Sequence, residues 1–244
     1  MQHSNKYIFI YSVVMVVVIA VSLTIVAVTL KPFQDDNIRI EKMQNILASV
    51  NVPIVEIPKK QVPAVYAKFI KSAIGVNNSG EVTERDPAKV FAIEMSNELK
   101  KPAAKQILPV FISVLNTGDS IFVVPLRGKG LWGPVWGYIS FKNDFNTVYG
   151  VIFDHKGETP GLGAEINQDW FMKPFKGKQI FNADGTLVSI TVVKGGAKPD
   201  DLHGVDAISG GTITSKGVQK MLFDNLTNYE AYFKKHMQKC FILF

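Results

Sequence analysis

The sequence predicts an α+β protein with a single membrane-spanning helix at its N-terminus. An extramembrane domain follows, in which a mixed or antiparallel sheet is covered by helices. Three observations predict this. Residues 7–30 carry no charge and are mostly apolar. From residue 107 the apolar residues fall in short β-branched and aromatic runs bounded by Gly, Asn and Asp. Helical spacing returns near Thr214, after which Val218, Met221, Leu222, Leu226, Tyr229 and Phe233 lie close to one face.

Residues 1–6 form a short tail. At ~1.5 Å per residue, 7–30 builds a helix of ~36 Å, enough to cross a bilayer with some tilt. Ser12, Ser22, Thr24 and Thr29 are small and can bond back to their own helix. A signal peptide has a shorter apolar core of ~7–15 residues and a small-x-small cleavage site, so 7–30 reads as a retained anchor. Lys31-Pro32 is expected to break it. Asp35 and Asp36 then suit the first turn of a second, amphipathic helix carrying Ile38, Met43, Ile46, Leu47 and Val50.

Pro53, Pro58 and Pro63 mark an extended or loop-like stretch, and Asn77-Asn78-Ser79-Gly80 a turn. Asp86-Pro87 opens a helix whose stripe, Val90, Phe91, Met95 and Leu99, ends before Pro102. Residues 31–105 thus read as a helical and extended N-terminal part, and 106–238 as the sheet-bearing domain. Strands are expected over 107–115, 120–125, 136–141, 147–153 and 187–193. Asn116-Thr117-Gly118-Asp119 and Asn182-Ala183-Asp184-Gly185 read as hairpin turns. The tail, 239–244, is apolar and too short to span a membrane. It either docks on a neighbouring subunit or the membrane surface, or is a strand fragment.

The net charge of +6 comes from scattered lysines. Without a basic run interleaved with aromatics, it argues against nucleic acid and for a solvated face near anionic lipid. Cys240 is the single cysteine, so there is no internal disulfide and no cysteine cluster for zinc or iron–sulfur. His3, His155, His203 and His236 lack metal-ligand spacing. No metal site is therefore expected, and the chemistry falls to an organic group. Lys6 precedes the anchor and Lys31, Arg39 and Lys42 follow it, which slightly favours a cytoplasmic domain.

One stretch organises the rest: Asp206-Ala207-Ile208-Ser209-Gly210-Gly211-Thr212-Ile213-Thr214-Ser215. Two glycines suit a tight turn, and the hydroxyls suit a helix N-cap. A helix start presents unpaired N–H groups that favour a phosphate. By themselves these residues also fit an ordinary strand–turn–helix junction. A second loop, Glu158-Thr159-Pro160-Gly161-Leu162-Gly163, is either a tight turn or a place where backbone approaches something flat.

Asp-x-x-Ser-Gly-Gly-Thr resembles the flavinylation signature Asp-x-x-Ser-Gly-Ala-Thr of the FMN-binding domain family. The resemblance implies that a flavin transferase uses FAD to place FMN on Thr212 as a phosphoester. Around that phosphate it places Ser209, Gly210, Gly211 and Thr214. Gly211 stands where the family has alanine, which is expected to loosen the turn without blocking the reaction. The loop from Glu158 is similar, residue for residue, to the family segment that packs on the isoalloxazine ring. Thr159, Gly161, Leu162 and Gly163 are then ring-contact candidates, with Glu158 beside them. Gly128-Lys129-Gly130-Leu131-Trp132-Gly133 resembles the family's Gly-x-Gly-Leu-Trp turn and adds Trp132. Val193-Lys194-Gly195-Gly196-Ala197 resembles the segment before the flavinylation site and adds Lys194, as a group able to tune the flavin potential.

These segments occur in family order behind one anchor. They narrow the resemblance to the C-type subunits of sodium-translocating NADH:quinone oxidoreductases, with the G-type subunit of the Rnf electron-transport complex a near relative. The resemblance implies an electron-relay subunit that is not catalytic alone. Its covalent FMN receives electrons from an iron centre held by neighbouring membrane subunits. It passes them to a second covalent FMN on the B-type subunit, and quinone is reduced while sodium is pumped outward. The implied partners are subunits of types A, B, D, E and F, the transferase and the lipid bilayer. The implied location is the inner membrane, with 1–6 cytoplasmic and the flavin domain periplasmic, against the charge count. Two other readings stand beside this one: an Rnf-type flavoprotein, and a membrane-anchored binding domain with no redox role.

Overall fold

The computed structural model describes residues 4–54, 56–115 and 117–241, and the side chains as far as Met237. The hairpin residue Asn116, and His3, lie outside the described residues, as do 242–244 and the side chains of the rest of the tail. Internal contacts divide the chain into two units, Met1–Lys42 and Met43–Phe244.

From Asn5 onward the first unit is helical. It belongs to α1 (Asn5–Ser49), which is long and apolar enough to cross a membrane. Side chains of 7–30 are exposed throughout. Thr24 donates to the Ala20 carbonyl, and Thr29 to those of Ile25 and Val26, so these hydroxyls are satisfied within the helix. Pro32 lies inside α1, so the break expected at Lys31-Pro32 does not occur. Proline removes a single N–H donor, and the turns beside it are tied together. Lys31 pairs with Asp35 at 2.5 Å and Arg39 with Asp36 at 3.5 Å. The two aspartates expected to start a new helix are mid-helix partners instead.

In the second unit, α2 (Val62–Phe69) leads into β1 (Ile70–Val76) and β2 (Val82–Glu84). Two short helices follow, α3 (Pro87–Ala92) and α4 (Met95–Glu98). Asp86 caps α3 by accepting from the Ala88 N–H at 2.9 Å, as its place before Pro87 predicts. The single helix expected there is split, because Ile93 and Glu94 are extended. Then come β3 (Leu108–Val114), β4 (Ser120–Lys129), β5 (Pro134–Phe141) and β6 (Val148–His155), close to four of the expected strands.

The sheet runs β2-β1-β3-β4-β5-β6, antiparallel throughout. The boundary expected at 105/106 therefore falls inside one sheet, since β1 and β2 come from before it. Ser72, Ala73 and Gly75 give β1 a weak strand signal. It forms because it is paired on both sides.

The chain continues through α5 (Asp169–Met172), β7 (Thr191–Val193) and β8 (Gly204–Asp206) to α6 (Thr212–Phe241). Strand geometry expected over 187–193 survives only in β7, which pairs in parallel with β8. Upstream, Leu187 forms an isolated bridge with Phe181, and Ser189 takes a left-handed φ of 59° that interrupts an extended run. Within the expected turn, the Asn182 carbonyl accepts from the Gly185 N–H at 3.1 Å.

Strand alternation sends neighbouring residues of β5 to opposite faces of the sheet. Ser140 donates to the Ser49 carbonyl at 2.6 Å, so the end of α1 lies on one face. Phe111, Phe91 and Tyr66 pack edge to face on that side. Phe141 meets Phe233 at 5.2 Å on the other face, where α6 lies. Tyr229, fully buried, donates to the Pro109 carbonyl at 2.9 Å. Val218, Met221, Leu222, Leu226, Tyr229 and Phe233 are all buried, so the apolar face of the last helix is core. α6 starts at Thr212, two residues before the expected start.

Candidate functional site

Three segments meet where α6 begins. The first is the turn between β4 and β5, closed by the Gly130 N–H donating to the Gly133 carbonyl at 2.8 Å. The second is the loop after β6. Its Thr159 carbonyl accepts from the Leu162 and Ala164 N–H groups, both at 3.1 Å, and Gly161 is left-handed at φ 73°. The third is the turn from Ile208 into α6, where Gly210 takes φ 74°, a conformation that favours glycine.

Glu158 holds the three together. Its Oε2 accepts from the Thr214 hydroxyl at 2.5 Å and its Oε1 from the Trp132 N–H at 2.9 Å. Its own N–H donates to Nδ1 of His155 at 3.2 Å. The residue is only 4% exposed. Glycine makes room for it on both sides: a Cβ at Gly130 would sit 2.5 Å from Oε1, and one at Gly163 would sit 2.6 Å from Oε2.

Burial pushes the Glu158 carboxyl up, but the Thr214 hydroxyl and the N–H groups of Trp132, Leu131 and Gly133 outweigh it, so its pKa is lowered. A lowered folded value stabilises the protein above the ordinary value of 4.5. That contribution is lost as pH falls through the folded value. The stability of wild type relative to Glu158→Gln is therefore expected to decline on acidification below that range. Chemical denaturation of both proteins across acid pH measures it, and a constant difference would contradict the assignment.

Beside this knot lies a cavity of about 240 Å³. The loop contributes Glu158, Thr159, Leu162 and Gly163, and the helix start contributes Gly210, Gly211, Thr212, Ile213 and Thr214. Leu131 closes it from the β4–β5 turn. Eight of the expected site residues thus come together. Gly161, Ser209, Trp132 and Lys194 do not line the cavity. Gly161 shapes the loop. Ser209 and Lys194 are exposed. Trp132 is 70% exposed, and its backbone N–H is what donates to Glu158.

Leu131 and Ile213 are additional lining residues. Both lie within the two motifs, beside the residues singled out there, and only their apolar character marked them.

The expected hydroxyl cap is absent from the helix start. Gly211 immediately precedes α6 and has no side-chain oxygen, while Ser215 Oγ accepts from the Ile208 N–H at 3.1 Å. The first N–H groups of α6 have no carbonyl one turn back inside the helix. Gly211 does not loosen the turn either. It is buried, and a Cβ there would lie 2.8 Å from Ile208 Cγ2 and 3.2 Å from the Leu162 carbonyl carbon. The turn is packed too closely for a methyl group as it stands. Of the two threonines, Thr214 is 2% exposed and its proton is committed to Glu158, while Thr212 is partly exposed at the cavity wall.

Comparison with known proteins bears on this site directly. The FMN-binding domain family matches residues 130–227, a span that contains all three segments. The C subunit of the Na+-translocating NADH-quinone reductase of Haemophilus ducreyi is 36% identical over 205 residues, covering 79% of this chain and 78% of that one. The chain belongs to this C-subunit family. The family's Pseudomonas aeruginosa member is 29% identical over 238 residues, 91% of each chain. Among solved structures, the C subunit from Parabacteroides distasonis superposes with a TM-score of 0.74 at 43% identity, over 84% of this chain and 96% of that one. NqrC of Shewanella oneidensis gives 0.69 at 29% identity, over 81% and 97%. The chain therefore shares its α+β architecture with these C-subunit structures.

Proposed function

We propose that this chain is the FMN-carrying C subunit of a membrane-bound, Na+-translocating NADH–quinone reductase, with FMN esterified through its phosphate to Thr212 Oγ1. The single observation that carries the reading is the cavity built by Thr212, the uncapped start of α6 and the 158–163 loop, inside the span that matches the FMN-binding domain family.

The residues present fit that group. The free N–H groups of the first turn of α6 suit a phosphate. Leu131, Leu162 and Ile213 offer apolar surface to a flat ring, and all three are partly exposed, at 47%, 40% and 58%. A pocket that encloses a whole ligand of this size usually holds ~300 Å³ or more. The smaller cavity here suits a ring seated against the protein with one side open, which is what a relay between proteins needs.

Attachment balances as a phosphoryl transfer. Thr212 Oγ1 bonds to the FMN phosphorus of FAD, the pyrophosphate P–O bond breaks, AMP leaves with the electron pair, and the hydroxyl proton is released. The Thr214 hydroxyl, bonded to Glu158, is withheld from this reaction. FMN supplies the electron-transfer chemistry, between an iron centre of neighbouring subunits and a second flavin on the B-type subunit, toward quinone. The chain's own residues hold the phosphate, wall the ring and keep the site on the periplasmic side of the inner membrane, anchored by 7–30. Partner subunits of types A, B, D, E and F and an FAD-dependent transferase complete the assembly.

Coexpression with the transferase is expected to raise the intact mass of the chain by one FMN phosphoryl group. An unmodified mass under conditions that load a known C subunit would overturn the reading.

A further inference from the structure

Glu158 sits at the cavity as a buried charge without a cation. Its charge is met by dipoles: the Thr214 O–H and the N–H groups of Leu131, Trp132 and Gly133. Among the described residues no lysine or arginine forms an ion pair with it. Its side chain bridges two elements far apart in sequence, the β4–β5 turn and the first turn of α6. Two glycines leave it the space. A carboxylate held this way stays ionised, and a charge in a partly dry site acts over a longer distance than one in water.

We infer that Glu158 is the positioning residue of this site, and that its uncancelled charge lowers the reduction potential of the group seated in the cavity. The inference rests on the reading of that group as FMN. Reduction adds electrons to the ring, and a fixed negative charge at the cavity wall opposes it. Positioning and charge are separable. In Glu158→Gln the amide oxygen accepts from the turn N–H groups, and the amide N–H donates to Thr214 Oγ1, whose own proton turns away from it. Shape is kept and charge is lost.

The test uses the full chain, coexpressed with its transferase and purified with FMN attached, and reads the midpoint potential by spectroelectrochemistry. The potential of Glu158→Gln is read on the fraction that carries FMN by intact mass, and that fraction is expected to have a raised potential. At an effective dielectric of ~20 a unit charge ~10 Å away shifts such an equilibrium by about tenfold, which is ~59 mV for one electron. Glu158→Asp keeps the charge and is expected to stay near the wild-type potential; if the glutamine variant does not fold, Glu158→Ala removes the charge in its place and is expected to raise the potential. Loaded Glu158→Gln with an unchanged potential, or Glu158→Asp with a raised one, overturns the inference while leaving the FMN reading intact. Failure of wild type itself to gain FMN overturns the earlier reading instead.

Discussion

Thr212→Val is expected to abolish covalent flavin completely while leaving the fold unchanged. Valine is close to isosteric with threonine and lacks the oxygen that forms the ester. Thr212 is partly exposed at the first position of α6, so little packing is lost. In a denaturing gel the wild-type band fluoresces and the variant band is dark. Thr214→Val is the control. Its hydroxyl is buried and bonded to Glu158, so the variant is expected to lose stability and load less flavin, with its band still fluorescent. A fluorescent Thr212→Val band, or loss of flavin only in a folded Thr214→Val protein, would move the attachment to another residue.

Gly163→Ala is expected to disable the site by a different route. The added methyl group would meet Thr214 Oγ1 and lie 2.6 Å from Glu158 Oε2, in the path of the hydrogen bond that joins loop to helix. Either the loop moves away from α6 or the carboxylate loses its partner. A buried polar group left unpaired costs roughly 1–3 kcal/mol, and each kcal/mol lowers the Tm of a domain of this size by about 2–4 °C. A fall of about 2–12 °C is expected, together with a large drop in flavin loading. Differential scanning calorimetry and intact mass on the same sample measure both. Wild-type loading with an unchanged Tm would mean that the loop does not pack as described.

The parts of the fold legible in the sequence were those with a strong local period. β3 to β6 are rich in β-branched and aromatic residues, and α6 carries a regular apolar stripe. β1 was not legible, because Ser72, Ala73 and Gly75 are strand residues only by virtue of β2 and β3 on either side. The continuity of α1 through Pro32 was hidden for a related reason. Proline's local preference is to end a helix, and the ion pairs that flank it are visible only once the helix is built. The split after Ala92 and the left-handed Ser189 likewise depend on neighbours far along the chain.

At the site, residue type and spacing pointed to Thr212 and to the 158–163 loop, and the structure brings them to one cavity. Spacing did not reveal what joins them. The bond from Thr214 to Glu158 spans 56 residues of sequence, and a single glutamate in a glycine-rich loop has no pattern that announces such a link. Trp132 was conspicuous for its ring, yet the structure uses its backbone N–H.

The most direct measurement is tandem mass spectrometry of the tryptic peptide 195–216 from the coexpressed chain. This peptide carries Ser209, Thr212, Thr214 and Ser215 together. The fragment ladder is predicted to place the FMN phosphoryl mass on Thr212 and on no other hydroxyl. A fully loaded chain with that mass on a different residue, or with the peptide unmodified, would contradict the account.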